Sequence, residues 1–413
     1  MKERSFFLLL LVLFIYGYSP AQTSKELIPY INTIKEKGQE PVQFILNKLD
    51  HYDLILFDDG LHSAVEPFQF YGELIKNKKF NEKVKYIFLE AISVSEQPYL
   101  DNYFNSKDGD LTLLYPAFQN DFSGTGWPYE TYFKLLRVIW QINSKLPEEG
   151  RYKVKAVNSP VYWKEITTPN DLYLFRFALA GNDYTMYKII SSYLDNFNFD
   201  KKGIFLTNTR HAYKKIKNKD NEYYWNCGTF FYKLKPGKTY SVRIHNINLY
   251  FEKRKAVDKS IVKTTEGLEN VDVKWVRMEN GLWDSAFKET GNNPVAFDMK
   301  DTPFGNTAYI GNHMLNAAPG QTIYDAYDAL IFLAPLEQLH QTPIVDYIYT
   351  NKFKTELARR IRILYTKDQL AAKLKDENVK TIAEMIDKDF VAVPGMIQPL
   401  TKNIGKITAW QNK

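Results

Sequence analysis

Residues 54–66 read LILFDDGLHSAVE and decide the fold class of this chain. The apolar run 54–57 has the pattern of a strand buried on both faces, and it leads directly into ionisable residues. A second apolar run, 84–89, stops at Glu90. Ligands bind outside the carboxyl ends of parallel strands, so ionisable residues at two strand ends indicate a site there. The sequence therefore predicts an α/β protein with chemistry at the carboxyl edge of its sheet.

Composition limits the class of protein. The chain has 413 residues, of which 45% are hydrophobic and 15% aromatic, so it can form one large domain or two ordinary ones, and disorder is excluded. Charged residues make up 25% and give a net charge of +6. Because no basic stripe alternates with stacking aromatic residues, we expect no nucleic-acid partner.

The N-terminus has the pattern of an export signal. Lys2 and Arg4 precede the largely apolar run 6–18, which is shorter than the roughly 20 residues that span a bilayer. We predict that 1–22 is a signal peptide, that the mature protein is periplasmic or secreted in a Gram-negative-type bacterium, and that no stable membrane anchor remains after cleavage. An uncleaved anchor is the alternative. The single cysteine excludes an internal disulfide.

The rest of the chain alternates strand and helix patterns. Helical spacing of apolar residues after position 66 gives a strand, helix, strand unit over 54–90. We predict a central, mostly parallel sheet flanked by helices in an α/β domain spanning 23–345, with an inserted loop and helical segment and a C-terminal helical extension at 346–413. Further strands are predicted at 152–157, 203–207, 240–244 and 328–333.

His62 is the first candidate for catalysis. If a helix begins near Gly60, His62 and Glu66 lie on one face of it, with Asp59 in the preceding turn. A histidine flanked by carboxylates is oriented and kept basic enough to take a proton from water. The alternative is structural, with Asp59 as a helix N-cap and Glu66 as a solvated residue of the first turn.

Glu90 and His211 extend this set. A carboxylate at the end of an apolar strand is costly to bury unless it is paired. His211 follows the strand-like run 203–207, so a parallel sheet would bring it to the same edge. We therefore predict that His62, Glu90 and His211 converge in one crevice.

The order Asp59-x-x-His62-x-x-x-Glu66, followed by a strand that closes on Glu90, resembles the erythromycin-esterase-like family. Further segments similar to that family occur in the same order, and the resemblance spans residues 54–340, about two thirds of the chain. They are GWPYE (126–130), NTRHA (208–212), WNCGTF (225–230) and YDALIF (327–332).

The resemblance implies a metal-independent hydrolase without a cofactor that acts on an ester or lactone of a small-molecule substrate. In this interpretation His62 is the general base, Asp59 and Glu90 orient and polarise it, and His211 binds or stabilises developing charge. Glu66 would support the helix face. The catalytic set implied by the family is His62, Glu90, His211, Asp59 and Glu66.

Three further residues are candidate substrate contacts. Trp127 belongs to the GWPYE segment, and Arg210 is a cation beside His211 that could hold an oxyanion. His313 lies in a loop-rich region and could line the same cleft. Arg210 as an ordinary surface residue is the alternative.

Two other functions remain open. The family that this chain resembles belongs to a wider superfamily with haem-uptake-like and TIKI/TraB-type metalloprotease-like members. This relationship suggests a metal-dependent peptidase as one alternative. In it, zinc or manganese would be bound by His62, Glu66, Glu90 and His211. The second alternative is a noncatalytic protein that binds a small ligand, because aromatic runs such as 223–225 and 230–232 suit an aromatic-lined pocket.

Overall fold

The computed structural model describes most of the chain. The expected signal peptide at 1–22 and the candidate contact His313 lie outside the described residues. Within the described part, no helix combines the length and the apolar character needed to cross a bilayer. The described ranges are 25–194, 202–253, 271–310, 317–391 and 398–399.

A seven-stranded, mostly parallel sheet forms the centre of this α/β fold, as the apolar runs predict. The described strands are β1 (Leu54–Asp58), β2 (Val84–Ser93), β3 (Lys153–Asn158), β4 (Lys202–Thr207), β5 (Thr239–Ile244), β6 (Asn248–Lys253), β7 (Val271–Val276), β8 (Val295–Asp298), β9 (Ala329–Phe332), β10 (His340–Gln341) and β11 (Gln398–Pro399).

The strands of the central sheet follow the order β3-β2-β4-β1-β5-β9-β8. Every neighbouring pair is parallel except β9 and β8, which are antiparallel. Strand β4 lies between β1 and β2, although it comes more than a hundred residues after β2 in the sequence. The carboxyl ends of these three strands therefore meet at one edge of the sheet, where the site lies.

Strand β1 is buried along its whole length, which explains its unbroken apolar sequence. Successive side chains point to opposite faces of the sheet. Ile55 and Phe57 belong to one hydrophobic core, and Leu54 and Leu56 belong to another. The sheet therefore needs apolar helices on both faces to cover it.

Helices fill both sides of the sheet and the connections between strands. They are α1 (Ile28–Lys37), α2 (Pro41–Lys48), α3 (Glu66–Lys76), α4 (Lys78–Lys83), α5 (Gln97–Asn105), α6 (Tyr115–Gln119), α7 (Glu130–Asn143), α8 (Pro169–Leu179), α9 (Asn182–Tyr193), α10 (Cys227–Leu234), α11 (Leu282–Glu289), α12 (Pro303–Asn306), α13 (Ile323–Ala326), α14 (Asn351–Leu364), α15 (Lys367–Asp376) and α16 (Ile382–Ile386).

Two boundaries differ from the sequence expectation. The helix expected near Gly60 begins at Glu66 instead, because Pro67 suits the first turn of a helix, where its missing N–H is not needed. Strand β2 does not stop at Glu90 but continues to Ser93. Its pairing with β4 ends at Leu89, so Glu90 lies immediately beyond the paired part of the strand.

The inserted segment between β2 and β3 and the C-terminal helices pack together. Arg360 of α14 donates to the backbone oxygen of Gln119 in α6 at 2.8 Å. Phe353 and Leu357 of α14 share a hydrophobic core with Leu89 of β2. The C-terminal helices therefore stabilise the segment that covers the carboxyl edge of the sheet.

Candidate active site

A tight turn after β1 brings His62 against Asp59. Gly60 has φ +72°, and a Cβ there would lie 2.6 Å from the Cβ of Asn246, so the turn requires glycine. The turn places His62 Nδ1 3.3 Å from Asp59 Oδ2. Asp59 is buried, and its other oxygen accepts from the side-chain amide of Asn208 at 2.9 Å. The imidazole is thus oriented by a fixed acceptor.

Glu90 is held by the last residue of β4 and by the first residue after it. Its Oε2 accepts a hydrogen bond from the hydroxyl of Thr207 and another from the backbone N–H of Asn208, the latter at 3.0 Å. Asn158 donates to its backbone oxygen at 2.9 Å. These bonds fix the buried carboxylate without using its second oxygen.

The second oxygen of Glu90 joins the two histidines. Oε1 lies 3.7 Å from His62 Nε2 and 3.3 Å from His211 Nε2. The side chain of His62 is 18% exposed and that of His211 is 9% exposed. The structure thus brings together His62, Glu90 and His211, and it leaves His62 the more accessible of the two rings.

Asp183 completes the row of alternating carboxylates and imidazoles. Its Oδ1 lies 2.7 Å from His211 Nδ1 and also accepts from the backbone N–H of Cys227 at 2.7 Å. Asp183 has no signal in the sequence, because it lies in the first turn of α9 and not at the end of an apolar run. The row runs from Asp59 through His62, Glu90 and His211 to Asp183.

A second buried aspartate holds the turn that carries His211. The backbone N–H of Thr209 donates to Asp58 Oδ1 at 2.7 Å, and Tyr327 donates its hydroxyl to the other oxygen. The guanidinium of Arg243 lies 3.8 Å from that oxygen. Thr209 has φ +39°, a conformation that is rare for a β-branched residue and is found mainly at functional or strained positions.

The carboxylates favour the charged form of His62. Burial disfavours the imidazolium, but Asp59 and then Glu90 outweigh burial and raise the pKa of His62 to about 10. For Glu90, burial acts to raise the pKa, but the charges of His211 and His62 prevail and hold its pKa well below the ordinary value. The two partners therefore stabilise each other as an ion pair.

The pKa values of Asp59 and His211 are shifted as well. Burial raises the pKa of Asp59, although His62 opposes that rise. Burial also acts to lower the pKa of His211, but Asp183 and then Glu90 outweigh it, so the pKa of His211 is raised. Arg210 is half-buried beside His211, and its positive charge opposes that increase in pKa.

Aromatic side chains of the inserted segment enclose His62. The ring of Trp127 meets the imidazole edge-on, with centroids 4.8 Å apart. The hydroxyl oxygen of Tyr132 lies 3.2 Å from His62 Nδ1. Tyr132 had no motif signal, but its position on the buried face of α7 could have been read from the helical periodicity.

Glu66 lies beside His340 and not beside His62. Because α3 begins at Glu66, residues 61–63 form a turn and His62 is not on its helical face. Glu66 Oε1 lies 2.8 Å from His340 Nδ1, and Oε2 accepts from the backbone N–H of His340 at 3.0 Å. Glu66 thus ties the start of α3 to β10.

The four-residue metal set suggested by the sequence is not assembled, because both oxygens of Glu66 bond to His340. Within the described ranges, no group of three or more histidine, cysteine, aspartate or glutamate side chains is arranged to hold a metal ion.

No family model and no curated protein matches this sequence. Similar solved structures include an erythromycin esterase. It is a mutant of EreC in its open conformation, with 12% identity, a TM-score of 0.43, and coverage of 75% of this chain and 95% of that chain.

Two other solved structures are similar to this chain. A protein from Bacillus cereus has 10% identity and a TM-score of 0.47, and the match covers 74% of this chain and 97% of that one. A succinoglycan biosynthesis protein has 8% identity and a TM-score of 0.46, with coverage of 75% of this chain and 98% of that one.

Proposed function

We propose that this chain is a hydrolase that activates water against an ester or lactone carbonyl, with His62 as the general base. The observation that carries this proposal is the position of His62, whose Nδ1 faces Asp59 and whose Nε2 faces Glu90. The ring is partly exposed, so water and a small-molecule substrate can reach it. The motif resemblance to the erythromycin-esterase-like family supports the same class of reaction.

The orientation of the ring defines the proton transfers. When neutral, His62 donates Nδ1–H to Asp59 and presents the lone pair of Nε2. Nε2 takes a proton from water as the water oxygen bonds to the carbonyl carbon, and Glu90 stabilises the resulting imidazolium. Nε2 then returns the proton to the alcohol oxygen as its bond to the carbonyl carbon breaks. The products are a carboxylic acid and an alcohol.

Cations at the same edge of the sheet suit the charge that develops on the carbonyl oxygen. In this proposal, His211 and Arg210 stabilise the oxyanion, because fixed positive charge in a water-poor site acts strongly on a charge that appears only during the reaction. Trp127, which packs against His62, would contact the substrate beside the reacting bond.

The proposal is tested by screening the purified full chain against a panel of esters and lactones, with and without a chelator. We expect hydrolysis of at least one member, retained after chelation. Failure to hydrolyse any member overturns the proposal. Stoichiometric metal that is lost together with activity would favour the metal-dependent peptidase instead.

Export is part of the proposal. Residues 1–22 have the pattern of a signal peptide, so we expect the mature protein in the periplasm or medium with an N-terminus near Gln22. Cell fractionation and N-terminal sequencing test this expectation. A cytoplasmic protein that retains Met1 would contradict it.

The second candidate is a noncatalytic binding protein. Exposed rings favour it, since Trp225 and Tyr184 are each about half exposed and lie 5.0 Å and 5.2 Å from the ring of Phe230. Ligand binding that survives His62→Ala, with no hydrolysis anywhere on the panel, would identify this function.

A further inference from the structure

We infer that Asp183 is a positioning residue of this site, which fixes the ring of His211 so that Nε2–H points at Glu90. The catalytic consequence of this role rests on the proposed function, whereas the orientation of the ring does not. Asp183 would act through His211 and would not touch the substrate.

The hydrogen bonds define the state of the ring. A carboxylate oxygen only accepts, so His211 Nδ1, at 2.7 Å from Asp183 Oδ1, carries a hydrogen. His211 Nε2 faces the other carboxylate, Glu90 Oε1, at 3.3 Å. A neutral ring with Nδ1–H would direct its lone pair at Glu90, so the imidazolium is the form that satisfies both neighbours.

The two histidines consequently have different roles. His211 contacts a carboxylate at each nitrogen and is the more buried ring, so it is held as a fixed cation. His62 also faces a carboxylate at each nitrogen, but these contacts are longer, at 3.3 Å and 3.7 Å, and its side chain is more exposed, so it is the ring that water can reach. Asp183 thus keeps His211 protonated, whereas His62 serves as the base of the proposed reaction.

Two secondary-structure elements fix Asp183 itself. Asn182, the first residue of α9, accepts hydrogen bonds from the backbone N–H and the hydroxyl of Ser159 at 2.8 Å and 2.7 Å. These bonds tie α9 to the end of β3. On the other side, the N–H of Cys227 at the start of α10 donates to Asp183 Oδ1. A carboxylate supported in this way can hold a partner ring in one orientation.

The test uses full-length protein labelled with ¹⁵N-histidine, in which His211 is assigned by the signal missing from His211→Gln. Near neutral pH we expect both nitrogens of His211 to be protonated. In Asp183→Ala and in Asp183→Asn the signal should become that of a neutral ring that keeps its proton on Nε2, facing the remaining carboxylate of Glu90. A His211 signal unchanged in either variant overturns the inference, and Asp183→Asn decides if Asp183→Ala does not fold.

The matched control is Ser191→Ala. Ser191 is buried in the same helix, and its hydroxyl has no hydrogen-bond partner among the described residues. Its loss should leave the His211 signal unchanged. A change as large as that in Asp183→Ala would mean that the helix, and not the carboxylate, orients the ring, which overturns the inference.

Kinetics on an ester from the panel test the catalytic consequence. Asp183→Asn should lower kcat by about tenfold or more with little change in KM, as for outer carboxylates that orient a functional histidine. An unchanged kcat overturns the catalytic role. If the unaltered protein hydrolyses nothing, the proposed function fails, while the ¹⁵N signals still decide the orientation of the ring.

Discussion

The backbone N–H of Thr209 donates to Asp58 Oδ1 at 2.7 Å and thereby holds a β-branched residue in the left-handed region, at φ +39°. Such a conformation costs on the order of 1–2 kcal/mol. It turns the chain as it leaves β4, so that His211, two residues later, faces Glu90. Asp58, at the end of β1, thus sets the backbone conformation that places His211 after the neighbouring strand β4.

Asp58→Ala is expected to lower the free energy of unfolding by about 3–5 kcal/mol, because it leaves Arg243 buried beside no carboxylate and two backbone N–H groups without their acceptor. Urea denaturation measures this change. Asp53→Ala, at the opposite end of β1, is the control and should cost much less, since Asp53 is partly exposed. Similar losses in both variants would contradict the role given to Asp58.

His62→Ala is expected to lower the rate of ester hydrolysis by at least about 10²-fold, because the general base is removed. Steady-state kinetics on the best substrate of the panel measure the change. His51→Ala is the matched control, since His51 is an exposed histidine before β1. A His62→Ala variant as active as His51→Ala would exclude His62 as the base.

Activity should rise with pH up to about 10. A general base acts when unprotonated, and the carboxylates of Asp59 and Glu90, acting against burial, raise the pKa of His62 to about 10. Asp59→Asn removes the stronger of these charges and should move the rise in kcat/KM to lower pH by roughly one unit or more. Asp53→Asn should not move it. A profile that falls toward pH 10 would mean that His62 acts in its protonated form.

Folding stability should also depend on His62. Its pKa is raised from 6.5, so the stabilisation is complete below about pH 6.5 and is lost as the pH rises to about 10. The loss is on the order of 4 kcal/mol. Urea midpoints between pH 6.5 and 10 should fall less steeply for His62→Gln than for the unaltered protein, and equal slopes would refute the linkage.

At acidic pH, the ionisation of Glu90 should control the free energy of unfolding. Its pKa is lowered, so its stabilisation is present above its ordinary value of 4.5 and is lost as the pH falls below it. Glu90→Gln should therefore be less stable than the unaltered protein at pH 6 and should show a shallower loss toward pH 3. Parallel acid-denaturation curves for the two proteins would contradict this prediction.

Much of this fold follows from local sequence. Strands β1 and β4 are continuous apolar runs that end in polar residues, so their positions were predicted to within about one residue. Parallel pairing then accounts for the meeting of Glu90 with His211. The order of the strands did not follow, because the insertion of β4 between β1 and β2 depends on contacts between residues far apart in the sequence.

The remaining errors have local causes. The expectation that Glu66 shares a helical face with His62 fails because Pro67 favours the first turn of a helix, so α3 begins after the segment that carries His62. Asp183 carries no signal, since it is the second residue of a helix and meets His211 only in three dimensions. Side chains that orient a site from an adjoining helix have no spacing pattern to reveal them.

The central position of β4 has a consequence for biosynthesis. Asp59 and Glu90 emerge from the ribosome well before Thr207 and His211, yet the space between their strands must stay open until β4 inserts. Until then two strand edges remain unpaired and are prone to pair with other chains. Nascent chains truncated before residue 202 should therefore bind chaperones and aggregate, whereas chains extended beyond β5 should become resistant to proteolysis.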